Sequence, residues 1–123
     1  MPLEQVVTHI AFRPFLPSSQ VLAYAVLPPL GDLDTNEHRG IGIEYVSGGS
    51  ALVLSQWPKQ KFDIAFGHGA PVLRSCAPTH YSTEAVAWTT PRGLVMTLQP
   101  DGAVAPAVVD EEARRLIRNG ACR

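Results

Sequence analysis

Between residues 41 and 57 apolar and polar side chains alternate, and the pattern turns back on itself at Ser47-Gly48-Gly49-Ser50. Alternation with a period of two is the signature of a strand with one buried face. Two adjacent glycines suit the tight primed turn of a hairpin, whose central residues both need positive φ. Counting outward from that turn sets Tyr45 opposite Leu52, Ile43 opposite Leu54 and Ile41 opposite Gln56 on one face. Glu44 with Val53 and Gly42 with Ser55 then share the other face, so the hairpin is expected to have one buried side and one wetter side.

A second hairpin is read over residues 84–99, where Pro91-Arg92-Gly93 fits a three-residue loop with its last member left-handed. Trp88 then faces Met96 and Val86 faces Leu98, with Ala87, Thr89, Val95 and Thr97 on the reverse. Between the hairpins Phe62, Ile64 and Phe66 alternate with Asp63 and Ala65, and Gly67-His68-Gly69 connects to a short apolar run at 71–73, predicting one or two further strands. Residues 21–27 read as a strand and 31–40 as a polar surface connection, while 3–10 are ambiguous between helix and strand. Near the end Asp110 is placed as the cap of a helix whose first turn holds Glu111 and Glu112 and whose last holds Arg114, Arg115 and Arg118, with Asn119-Gly120 as the stop. Its stripe of Ala113, Leu116 and Ile117 would pack on the sheet. The expected architecture is one α+β domain over residues 1–123, a single antiparallel curved sheet of about six strands with the C-terminal helix packed on one face.

Composition narrows the function classes more than it identifies one. A hydrophobic share of 46% against 17% charged residues lies outside the range of a disordered chain, so a closed core is expected. A net charge of -1 supplies no field for a phosphate backbone, which makes nucleic acid a poor partner. The longest near-apolar passage, 21–30, is broken by Pro28 and Pro29, so no membrane insertion by this chain is expected. Met1-Pro2-Leu3-Glu4 lacks the basic and apolar segments of a secretory signal, which fits either an intracellular protein or an excised domain. Cys76 and Cys122 lie in no Cys-x-x-Cys pair; they could form one bridge in a secreted protein, and free thiols are the favoured reading.

Candidate chemistry is sparse. Cys76 and His80 could form a thiol–imidazole pair for acyl transfer, but the intervening residues read as a loop with no helix start to lower the thiol pKa. His9, His38, His68 and His80, with Glu44 and Asp63, show no local metal-ligand spacing, so no metal is expected. The loop 47–50 and Gly67-x-Gly69 lead into strands rather than helices, which removes the amide cradle of a phosphate loop. Glu111 and Glu112 are accounted for by the helix dipole, and Arg114, Arg115, Arg118 and Arg123 by a solvated helix face. Of the aromatic residues Trp57, at a strand end before Pro58, is the one best placed for exposure to a ligand. Together with Phe62, Phe66 and the glycine-flanked His68 it outlines a ligand-binding margin of the sheet.

Taken in order, Phe12-x-Pro14-Phe15-Leu16-Pro17, the 45–56 hairpin, Gly69-Ala70, Val86-x-Trp88 with its return strand, and the acidic-start helix resemble an uncharacterised bacterial domain family. Members of that family form the extracytoplasmic C-terminal part of anti-sigma factors and membrane-anchored lipoproteins. The resemblance implies an antiparallel sheet packed by a terminal helix, acting as a sensory or ligand-binding module outside the membrane, and it carries no catalytic residues. The expected function is therefore a non-enzymatic binding module for an unknown small molecule or protein, without a cofactor. A thiol-dependent hydrolase or transferase using Cys76 and His80, and a structural subunit that oligomerises through a sheet edge, stay open as alternatives.

Overall fold

The computed structural model describes residues 1–28, 39–58 and 72–123. These form an antiparallel sheet of six strands and two helices. The helices are α1 (Leu3–Val6), extended by a 3₁₀ turn over Val7–His9, and α2 (Pro106–Leu116). The strands are β1 (Gln20–Leu27), β2 (Gly40–Ser47), β3 (Ser50–Pro58), β4 (Thr79–His80), β5 (Val86–Thr89) and β6 (Leu94–Pro100), arranged in the order β1-β2-β3-β6-β5-β4. The α+β class, the single antiparallel sheet and the C-terminal helix all follow the expectation.

Both hairpins pair as counted from their turns. Tyr45 faces Leu52, Ile43 faces Leu54 and Ile41 faces Gln56, while Trp88 faces Met96 and Val86 faces Leu98. The turns behave as their residues require: Gly48 and Gly49 have φ of 57° and 81°, and Gly93 has φ of 82°. The two hairpins join through β3 and β6, which sets Leu54 beside Leu98 and Gln56 beside Met96 on the same face. That face is the core. Its β5–β6 half, with Tyr45, Leu52 and Leu54, is covered by Val109, Ala113 and Leu116 of α2. Its β2 end, Ile41 and Ile43, lies under Val6 and Ile10. The ambiguous segment 3–10 is helical over Leu3–His9 and extended at Ile10, and Val6 and Ile10 are the side chains it buries against the core.

The reverse face is not simply the wet one. Ala87 and Val95 are fully buried there, and Ser55 and Thr97 nearly so. Side chains lie across it: Tyr81 is hydrogen-bonded to Thr97, and Leu27 packs where a Cβ on Gly42 would stand, 3.2 Å away. At Gly40 an added Cβ would come 2.5 Å from the Gln56 carbonyl oxygen and equally close to the Trp57 ring. Gly40→Ala is accordingly expected to lower the unfolding free energy by about 1–3 kcal/mol, the usual effect of overpacking, read as a shift of the urea midpoint.

The helix starts earlier than its acidic pair indicates. Pro106 occupies the first turn, where its fixed φ and missing N–H cause no loss, so Asp110 is an interior residue rather than the cap. Asp110 instead accepts from Arg114 Nε at 3.0 Å, one turn on. Beyond α2 the chain widens into the turn Ile117–Ala121, where Gly120 takes φ of 111° and redirects the backbone toward β5. There the indole N–H of buried Trp88 donates to the Ala121 carbonyl at 3.1 Å.

That redirection corrects the expectation of free thiols: Cys76 and Cys122 form a disulfide, with Cα atoms 5.5 Å apart. Cys76 is brought there by backbone pairing to the end of β5. Its N–H donates to the Thr89 carbonyl at 3.0 Å, Thr89 N–H donates to Arg74, and Cys76 itself takes a left-handed φ of 58°. Sequence separation alone could not show that Thr89 and Trp88 hold both partners from either side.

Candidate functional site

A groove of about 460 Å³ is lined by Arg13, Pro14, Phe15, Leu16, Arg92, Gly120 and Arg123. Its walls come from three parts of the chain: the extended stretch before β1, the loop of the second hairpin and the segment after α2. Each wall is tied to the core. Gln56, fully buried in β3, accepts from the Phe15 N–H at 2.8 Å and donates to the Phe15 carbonyl at 2.7 Å, so its amide imitates a neighbouring strand. Arg92 donates from Nε to the Arg123 carbonyl at 2.7 Å and from a terminal nitrogen to the Arg13 carbonyl at 3.1 Å, linking both walls through one guanidinium. The Trp88 indole holds Ala121, and the disulfide holds Cys122. The guanidinium of Arg123 lies over Gly120, 3.5 Å from where a Cβ would stand.

Arg123 therefore belongs to this groove and not to a solvated helix face. Its companions on α2 and the turn after it each find an acidic partner, Arg114 with Asp110, Arg115 with Glu112, and Arg118 with Glu111 at 3.7 Å. The pair of Arg115 with Glu112 is the main surprise of the helix. Glu112, read from sequence as dipole electrostatics, is buried in the same stripe as Val109, Ala113 and Leu116. It accepts from the Tyr45 hydroxyl at 2.7 Å, from Ser47 Oγ at 3.2 Å and from two nitrogens of Arg115 at 2.6 and 2.7 Å. Burial pushes its carboxyl up, but the Arg115, Tyr45 and Ser47 donors together outweigh that and hold it below the usual carboxylate range. Burial also pushes the Tyr45 phenol far above its ordinary value, reinforced by the hydrogen bond to Glu112 and its charge. A shallow hollow of about 310 Å³ opens beside this network, between the 47–50 turn and α2, yet both Glu112 oxygens are already engaged. The network reads as structural. Its signal in the sequence was Glu112 at the three- and four-residue spacing of the buried stripe, with an arginine three positions on.

Of the residues expected to form a ligand margin, Trp57 is described and Phe62, Phe66 and His68 lie outside the described residues. Trp57 is half-buried, and its indole N–H already donates to the Pro28 carbonyl at 3.0 Å. Cys76, bonded to Cys122, carries no thiol, and exposed His80 stands 3.9 Å from Asp110. On the reverse face, the hydrogen bond and charge of Asp101 hold the half-buried Glu44 carboxyl above its ordinary range. No three His, Cys, Asp or Glu side chains converge on a metal-sized site among the described residues. No helix among them is long and apolar enough to cross a membrane.

Fold and groove together define an α+β protein with an antiparallel sheet, a packed terminal helix and an arginine-lined surface hollow. The chain matches no protein-family model, no curated protein and no solved structure.

Proposed function

We propose that this chain is a non-enzymatic binding or sensory module of an oxidising, extracytoplasmic setting, and that its ligand surface is the groove around Arg13, Phe15, Arg92 and Arg123. The observation that carries this reading is the clamping of the groove's backbone. Buried Gln56 pairs with both backbone groups of Phe15, and Arg92 bridges the carbonyls of Arg13 and Arg123. A surface whose walls are fixed before a ligand arrives loses less entropy on binding, which is what a recognition site requires. Arginine side chains on such a frame offer fork-shaped donors with a defined origin. The Trp57, Phe62, Phe66 and His68 margin has less support, because the polar tip of Trp57 is spent on Pro28.

The extracytoplasmic setting is supported by the Cys76–Cys122 bond, since such bridges persist chiefly in oxidising compartments. It agrees with the resemblance to the terminal domain of anti-sigma factors and anchored lipoproteins. The thiol-dependent alternative needs a reduced Cys76, which the bridge withholds.

A fragment screen followed by amide chemical-shift mapping tests the reading. Hits are expected to perturb residues 13–16, 92 and 120–123 together. Perturbations that gather elsewhere, or a screen in which these residues never respond, would remove it.

A further inference from the structure

Resting on that reading of the groove as the binding surface, we propose that its ligand is a small organic dianion, two carboxylates or equivalent oxyanions carried on an apolar body. Among the described residues that line the groove Arg13, Arg92 and Arg123 are basic and no side chain is acidic; Arg92 already faces the main-chain oxygen of Arg123, the last residue of the sequence, at 2.7 Å, so Arg13 and Arg123 carry the positive charge left for an occupant. The three arginines come from three separate segments. An occupant with two separated oxyanions can therefore engage more than one of them at once.

The chemistry of each arginine fits. A guanidinium carries five N–H donors, and two from Arg92 go to the Arg123 and Arg13 carbonyls, which fixes that group in place and leaves the rest of its donors for a ligand. Arg123 is positioned over Gly120, whose φ of 111° turns the chain there, with the guanidinium at van der Waals distance, 3.5 Å, from where a Cβ would stand. A planar guanidinium meets a carboxylate through two parallel hydrogen bonds, whereas a lysine would offer only a point charge. Pro14, Phe15 and Leu16 supply the apolar part of the lining, with Leu16 45% exposed and so able to gain burial from an occupant. A hollow of about 460 Å³ lies within the size range of small-molecule sites. An extended acidic peptide would instead call for basic residues strung along a line, and here they gather round one hollow.

Isothermal titration of the intact, oxidised protein with succinate, phenylsuccinate and isophthalate provides the test, with inorganic phosphate and the neutral diester dimethyl isophthalate as comparisons. Expected are binding of an apolar dicarboxylate about fivefold or more tighter than succinate or phosphate, from burial against Phe15 and Leu16. Affinity should fall about tenfold in each of Arg13→Gln and Arg123→Gln, whose side chains take no part in the wall hydrogen bonds, and should fall with added salt. Amide spectra of both variants confirm that they remain folded. Equal binding of the neutral diester, or affinity unchanged in both variants, overturns the proposal. So does the absence of dicarboxylate binding up to about 10 mM, a limit weaker than any useful recognition free energy. If a neutral fragment binds at the groove while dicarboxylates do not, the dianion inference fails and the binding surface stands. If no fragment reaches the groove, both fail.

Discussion

Replacing Cys122 by serine should lower the unfolding free energy by about 4 kcal/mol. The bridge to Cys76 spans 46 residues of chain, and a loop of that size removes a corresponding amount of entropy from the unfolded ensemble. Guanidinium unfolding of the variant, compared with the parent before and after reduction, measures it. Reduced parent and variant should agree. A difference below about 1 kcal/mol would show that the unfolded chain is already held near this arrangement by other contacts. The loss should also be felt in the groove, because Cys122 lies between Ala121, held by Trp88, and Arg123, held by Arg92. Amide hydrogen exchange at residues 121–123 should accelerate in the reduced protein even under conditions where β5 and β6 stay protected.

Glu112→Ala is expected to come next, at about 3 kcal/mol, since it leaves the buried Tyr45 hydroxyl without its acceptor and Arg115 without its partner. The lower end of the range for broken buried pairs applies because the Arg115 side chain is still 33% exposed. The same network sets a pH window. The folded Glu112 carboxyl is held below its ordinary 4.5, so its stabilisation is complete above that value and is lost as pH falls through the lower folded one. The Tyr45 phenol is raised in the folded state from its ordinary 10.0, so stability also declines as pH climbs above 10.0 and the unfolded phenol ionises. Glu112→Gln should flatten the acid limb of a stability-versus-pH curve. An unchanged acid limb in that variant would assign the acid loss to other carboxylates.

The parts of this fold legible in the residues were those whose physics is local. Gly48-Gly49 and Pro91-Arg92-Gly93 determine their turns, and the turns determine every cross-strand pair in the two hairpins. What could not be read depended on contacts far apart in the chain. The approach of Cys122 to Cys76 follows from a left-handed Gly120 and an indole hydrogen bond from Trp88, neither visible in cysteine spacing. Pro106 opens α2 without a side-chain cap, so the strongest capping signal, Asp110, pointed one turn too late. The groove is hidden for the same reason. Arg13, Arg92 and Arg123 are scattered in sequence, and only Gln56, a polar residue at a register position meant for the core, hinted that something outside the sheet was being held there.

Strand β1 has a further consequence. Between Val21 and Ala23 its pairing with β2 slips, so the ladder along this outermost strand is irregular. A second molecule attempting to zipper onto that margin would meet amide and carbonyl groups out of step with its own repeat. At the opposite margin of the described sheet the two-residue β4 is too short to offer much template. At both margins of the described sheet the ladder is therefore a poor template for amyloid-like stacking.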